Sequence, residues 1–288
     1  MFVKGLLLLA TVAVSANAFL FDSGPAWEHL KVTFGINIFG NAFDSMPRTV
    51  HDAVKAGFTL KDSQCVSPDQ KFRGQRYWLK NDPAVILLFD KNGIIAGIQT
   101  AAPKSKYSPD PLMKEKAFSE DTDAWALTAY FVDPSTICST GRTSKDLKEQ
   151  GTGHALYLQN GTNPERDLAN IPIHESDIKK TAWGSGKCFP GMGQHYWFNI
   201  RKDMDCGELF PYCLLYTNGK LNGFCFAIDE DLETSKRYEH PTTSAAAACC
   251  LHVPDCFNTD PRHANDKKQS TLHVFFTNAP YTNLCPIF

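Results

Sequence analysis

One set of landmarks occurs twice along this chain in the same order, so a fold for it has to accommodate two copies of one unit. Gly74-Gln75-Arg76-Tyr77-Trp78-Leu79 recurs as Gly193-Gln194-His195-Tyr196-Trp197-Phe198. Leu87-Leu88-Phe89, Asn92-Gly93 and Gly97 have counterparts in Leu214-Leu215-Tyr216, Asn218-Gly219 and Gly223. Ser105-Lys106-Tyr107 with Pro109 is matched by Ser235-Lys236, Tyr238 and Pro241, and Cys138 by Cys256. Thr152-Gly153-His154-Ala155-Leu156-Tyr157 is matched by Thr271-Leu272-His273-Val274-Phe275-Phe276. A cysteine, Cys65 or Cys188, precedes each set, and 76 residues separate the tryptophan from the histidine in both.

The landmarks carry strand and turn signals. The apolar run Ala84 to Phe89 is followed by Asp90-Lys91-Asn92-Gly93 and then by Ile94 to Thr100. Tyr212 to Thr217, Asn218-Gly219 and Lys220 to Ile228 repeat the pattern. Asn-Gly between apolar runs predicts a hairpin, because a type I′ turn needs positive φ at both central residues. Trp125 to Val132, His154 to Leu158, His195 to Ile200 and Leu272 to Thr277, rich in aromatic and β-branched residues, read as further strands. Helical signals are few. Ser45 caps a helix with Pro47 at its first position and an apolar stripe of Val50, Val54 and Phe58. Asp110-Pro111 opens a second through Phe118, and Ser244 to Ala248 begins a third. The expected fold is α+β and β-dominated: two related β-rich modules from an internal duplication, disulfide-stabilised, with few short helices. Residues 1–18 read as a signal peptide, 19–60 as an N-terminal segment with one short helix, 61–161 as the first module, 162–182 as a connector and 183–288 as the second module.

The first residues, Met1-Phe2-Val3-Lys4, carry one positive charge. The apolar stretch Gly5 to Val14 follows, and Ala16-Asn17-Ala18 closes it. This is the layout of a secretory signal cleaved after Ala18, and the stretch is too short to span a bilayer. Ten cysteines remain, and an even count in a secreted chain favours disulfides. The repeat suggests Cys65–Cys138 and Cys188–Cys256 first. The vicinal Cys249 and Cys250 each call for a different partner, and Cys285 for one that ties down the C-terminus. Asn160-Gly161-Thr162 is a glycosylation acceptor, making Asn160 the expected glycan site. Without Lys4 the chain has 28 basic residues against 31 acidic ones, which argues against a nucleic-acid or anionic-membrane partner.

Chemistry centres on the second module. His195 stands where the first has Arg76, Met192 lies three residues before it, and His273 falls in the last landmark. Imidazoles suit zinc, and imidazole with a thioether suits copper. His195 and His273, with Met192 or His240, are therefore the candidate ligands of a copper or zinc ion that the first module lost through Arg76. A histidine on an aromatic strand equally serves as a core residue bonded to backbone. Trp78, Trp197, Tyr77 and Tyr196 are candidate groove residues; because neighbours on a strand face opposite ways, one of each pair should be core and the other surface. Gly184-Ser185-Gly186 lacks nucleophile-elbow spacing. Asp229-Glu230-Asp231 and Asp203/Asp205 lack the calcium-loop pattern, and no phosphate-cradling glycine loop is present. The expected function is that of a secreted, extracellular, non-enzymatic protein acting by binding or structural recognition of an extracellular ligand or protein, with no required cofactor. The alternative is a secreted histidine-ligated metalloprotein or metalloenzyme holding copper or zinc in its second module.

Overall fold

Long apolar runs broken by Asn-Gly pairs dictate antiparallel hairpins, and hairpins make up most of the chain. The computed structural model describes residues 27–35, 42–65 and 71–285; the expected signal peptide lies outside the described residues. In chain order the elements are β1 (Lys31–Val32), β2 (Asp44–Ser45), α1 (Val50–Lys55), β3 (Phe58–Asp62), β4 (Gln75–Leu79), β5 (Ile86–Phe89), β6 (Ile95–Pro103) and α2 (Pro111–Lys116). There follow β7 (Ser119–Glu120), β8 (Ala124–Tyr130), α3 (Pro134–Ile137), α4 (Ser144–Gln150), β9 (Leu156–Gln159), β10 (Leu168–Ile171) and α5 (Glu175–Ile178). The remainder are β11 (Trp183–Phe189), β12 (Gly193–Phe198), β13 (Tyr212–Thr217), β14 (Lys220–Ile228), α6 (Thr243–Ala247), α7 (Cys256–Thr259) and β15 (Ser270–Phe275).

The strands form two antiparallel sheets. One runs β10-β9-β8-β6-β5-β4-β3, with β7 beside β8; the other runs β11-β12-β13-β14-β15-β1-β2. Their centres have the same registers. Arg76 faces Leu88, Leu88 faces Gly97 and Gly97 faces Tyr130. His195 faces Leu215, Leu215 faces Gly223 and Gly223 faces Phe275. Each central hairpin carries a register shift at the same place, Leu88/Phe89 and Leu215/Tyr216. The isolated bridges Thr49–Ile94 and His174–Lys220 also correspond, each closing the start of a helix onto its hairpin. The first sheet uses the consecutive strands β3 to β10, whereas the second is completed from the other end of the chain: β1 and β2 precede the first sheet's strands but join the second.

One apolar core is shared by the inner faces, with Tyr77, Leu87, Ile98 and Leu127 from one sheet and Tyr196, Leu214, Phe224 and Leu272 from the other. Hydroxyls cross between the layers. Tyr212 Oη donates to the Thr128 carbonyl at 3.2 Å, and Tyr238 Oη lies 2.7 Å from Thr100 Oγ1. Outer faces are covered too, so β5 and β13 are buried on both sides and read as unbroken apolar runs.

Several expectations are corrected. Asn218 and Gly219 both adopt positive φ, as a type I′ turn requires, but in the first hairpin only Gly93 does. There Asp90 Oδ1 accepts from the Asn92 and Ile94 amides, building a longer turn around a side chain. The first helix starts after Thr49, whose hydroxyl caps Asp52 N, not after Ser45. Its expected stripe fails because Val54 is exposed and Phe58 belongs to β3. The segment read as a connector carries β10 and α5. Disulfides join Cys65 to Cys138, Cys188 to Cys285, Cys206 to Cys256 and Cys213 to Cys225. Cys188 thus pairs with Cys285 in place of Cys256, because the C-terminal segment passes β11: the Gly191 amide donates to the Asn283 carbonyl at 2.8 Å. Cys249 and Cys250, expected to bridge, are free thiols.

Candidate metal centre

The outer face of the second sheet gathers a set of donors that its registers dictate. Along a strand, alternate residues share a face. Tyr196 therefore enters the core, while His195 and Trp197 face outward on β12. On β13 the outward residues are Cys213 and Leu215. Cys213 faces Cys225 on β14, and Cys225 faces His273 on β15. Phe34, Phe43, Met192 and Trp197 pack around Cys213, Leu215, Cys225 and Phe275 and seal this face. Among the described residues, ligand atoms of His195, Cys213 and His273 lie within 4.8 Å of one another, and the three side chains are 1 %, 0 % and 7 % exposed.

The two imidazoles are oriented in the same way. His195 Nδ1 is 3.1 Å from the Lys187 carbonyl and 3.2 Å from that of Gly193. Both partners only accept, so Nδ1 carries the proton and Nε2 the lone pair. That Nε2 is buried with no hydrogen-bond partner. His273 Nδ1 donates to Glu239 Oε2 at 2.9 Å, which leaves its Nε2 as the lone-pair nitrogen. Glu239 is fixed in turn, accepting from Thr271 Oγ1 at 2.6 Å and from the Phe34 amide at 2.6 Å. A carboxylate or backbone carbonyl holding the far nitrogen is the arrangement that orients metal-ligating histidines. Burial first, and the neighbouring His273 second, push His195 down to about 3, so it stays neutral and able to ligate near pH 7.

The corresponding face of the first sheet has no such donors. Arg76 stands at the position of His195, Ile86 at that of Cys213, Gln99 at that of Cys225 and Thr128 at that of His273. Arg76 bonds the carboxylates of Asp62 and Asp121, and Gln99 Nε2 donates to Thr128 Oγ1 at 2.9 Å. His154, matched to His273 by sequence interval, instead lies exposed before β9.

Of the four expected ligands the structure brings His195 and His273 together. Met192 packs against the cluster at its edge. His240 lies apart, 2.7 Å from Asp231; in the extended segment bridged to β15, it is the neighbouring Glu239 that turns toward His273. Cys213, Cys225 and Glu239 were not legible as site residues. Tyr77 and Tyr196 are core residues, whereas Trp78, under the Lys61 ammonium at 4.8 Å, and Trp197 lie on the outer faces. Asn160 is exposed in the turn after β9. The Asp229-Glu230-Asp231 cluster is paired: Asp229 with His263 at 3.0 Å, Glu230 with Lys267 at 3.0 Å and Asp231 with His240. No protein family, curated protein or solved structure matches the chain.

Proposed function

We propose that this is a secreted, non-enzymatic protein that holds one copper or zinc ion on the outer face of its second sheet, through His195 and His273 with Cys213 beside them. The buried, unpartnered Nε2 of His195, converging with His273 and Cys213, carries this reading. An orphaned buried acceptor is costly, by about 1–3 kcal/mol, and a bound cation removes that penalty. The burial of all three side chains favours holding an ion over turning over a substrate, since catalytic sites keep an open position. Four disulfides, and the lack of any helix long and apolar enough to cross a membrane among the described residues, agree with secretion after Ala18 and with a glycan on Asn160. The shared registers support reading the two sheets as copies of one unit, of which the first carries Arg76 in place of a ligand.

Native mass spectrometry of the chain expressed through a secretory pathway, supplied with copper and zinc both as secreted and after thiol treatment, tests this. One tightly held ion in at least one of these states, absent from His195→Ala, is expected. No bound ion in the intact protein in either state overturns it.

A further inference from the structure

Cys213 belongs to two arrangements at once. It is half of a disulfide, and its sulfur lies within reach of both imidazoles. Its disulfide partner is also a neighbour of the site: Cys225 stands directly opposite both Cys213 on β13 and His273 on β15. Directly opposed side chains have Cβ atoms about 4.5–5.5 Å apart. The row Cys213, Cys225, His273, with His195 diagonal to it on β12, thus places two sulfurs and two imidazoles on one buried patch. Cys225 is 1 % exposed.

We infer that the Cys213–Cys225 disulfide and a metal ion are alternative occupants of this patch, and that the ion is a soft or borderline d10 cation, Zn(II) or Cu(I), held by His195, His273, Cys213 and Cys225. This rests on the metal reading above. A disulfide sulfur carries no thiolate charge and is a weak ligand; two thiolates with two imidazoles make the closed tetrahedral set of a structural zinc site, and thiolates select Cu(I) equally. Opening the disulfide consumes two equivalents of a low-molecular-weight thiol. The protein S–S bond breaks, two protein thiols form, and the reductant leaves as its own disulfide. Loading with Zn(II) then releases two thiol protons and forms two Zn–S bonds. In the reverse direction a low-molecular-weight disulfide takes up the two protein thiolates' electrons, the protein S–S bond re-forms and the ion departs. The nearest free thiols do not replace the external reagent. Burial raises Cys249 to about 11 and Cys250 to about 12, so both stay protonated and unreactive beside Lys187.

The test uses the full chain and zinc alone. Zinc affinity is measured for the oxidised protein, for protein treated with a monothiol until one disulfide per chain has opened, and for Cys225→Ser, whose Cys213 cannot re-form its bridge. Alkylation and mass spectrometry identify the opened pair. Zinc should bind the thiol-treated protein and Cys225→Ser at least roughly tenfold more tightly than the oxidised protein. Adding a low-molecular-weight disulfide should expel zinc from the wild type as Cys213 and Cys225 become resistant to alkylation. Equal, His195-dependent affinity in all three forms would overturn the exclusion and leave the metal site standing. Zinc bound by none of them, with no Cu(I) bound by the thiol-treated protein, would overturn both. If Cys225→Ser does not fold, the wild-type titration decides alone.

Discussion

Glu239 shows how much of the site is built by a residue that touches no ion. Its carboxylate fixes the tautomer and the ring of His273 while tying β15 to the Phe34 amide. Glu239→Gln keeps the shape but presents an amide donor or a weaker acceptor to Nδ1. Metal affinity should fall by about 10–100-fold, measured by competition with a chromophoric chelator, with the circular dichroism spectrum unchanged. At the equivalent place in the other sheet, the Arg76 cluster governs acid stability. Burial disfavours the charged form of Asp121, but the hydrogen bond and charge of Arg76, aided by Lys61, outweigh it and hold the carboxyl below its usual range. As pH falls, the unfolded chain takes up that proton first. The stabilisation is therefore complete above about pH 4 and is lost as pH drops through the lowered folded value. Urea midpoints between pH 5 and pH 2 should fall less steeply for Asp121→Asn than for the wild type, measured from each protein's own midpoint at pH 5.

At the scale of elements, the central hairpins depend on glycine for space as well as for turning. A Cβ on Gly97 would lie 2.5 Å from the Ala129 carbonyl, and one on Gly223 would collide with that of Val274. Both obstacles are backbone and cannot swing aside. Gly97→Ala and Gly223→Ala should each destabilise by about 1–3 kcal/mol, and Gly223→Ala should also weaken metal binding, because β14 carries Cys225 between β13 and β15. These same elements show where a sequence is legible. The expected Tyr212 to Thr217 and Lys220 to Ile228 coincide with β13 and β14, because burial on both faces makes a continuous apolar run and Asn218-Gly219 marks its end. Strands with one polar face were lost: β10, with only Ile171 buried, read as connector, and β11 hid behind Gly184, Gly186 and Lys187. His195 stands out because it breaks the repeat, and His273 because it falls in a shared landmark. The cysteines do not, because no spacing motif spans four strands. Counting outward from the Asn218-Gly219 turn sets Cys213 opposite Phe224, and only the one-residue shift at Leu215/Tyr216 moves it to Cys225. A local sequence pattern does not encode that shift.

Across the whole molecule, neither half is complete. The core mixes both sheets, Trp27 stacks on Phe276 at 3.9 Å, and the second sheet takes two strands from the far end of the chain. A fragment of residues 162–288 lacks β1 and β2 and bares Tyr196, Leu214 and Phe224; it should not fold, as read by dispersion of its amide NMR spectrum. The intact chain should lose near- and far-ultraviolet circular dichroism in one coincident urea transition. Two separated transitions would mean independent halves.

The pairing of β1 with β15 also orders events in time. Lys31 lies opposite Phe275, so the first described strand to be synthesised has to wait for the last before it can dock. Until then β14 offers a bare edge, and β1 has nowhere to add. Pairings this distant in sequence are among the slowest to form, and open edges recruit strands from other chains. β15 thus acts as a latch between β14 and the N-terminal strands, and a chain that stops short of it is set to stick to its neighbours.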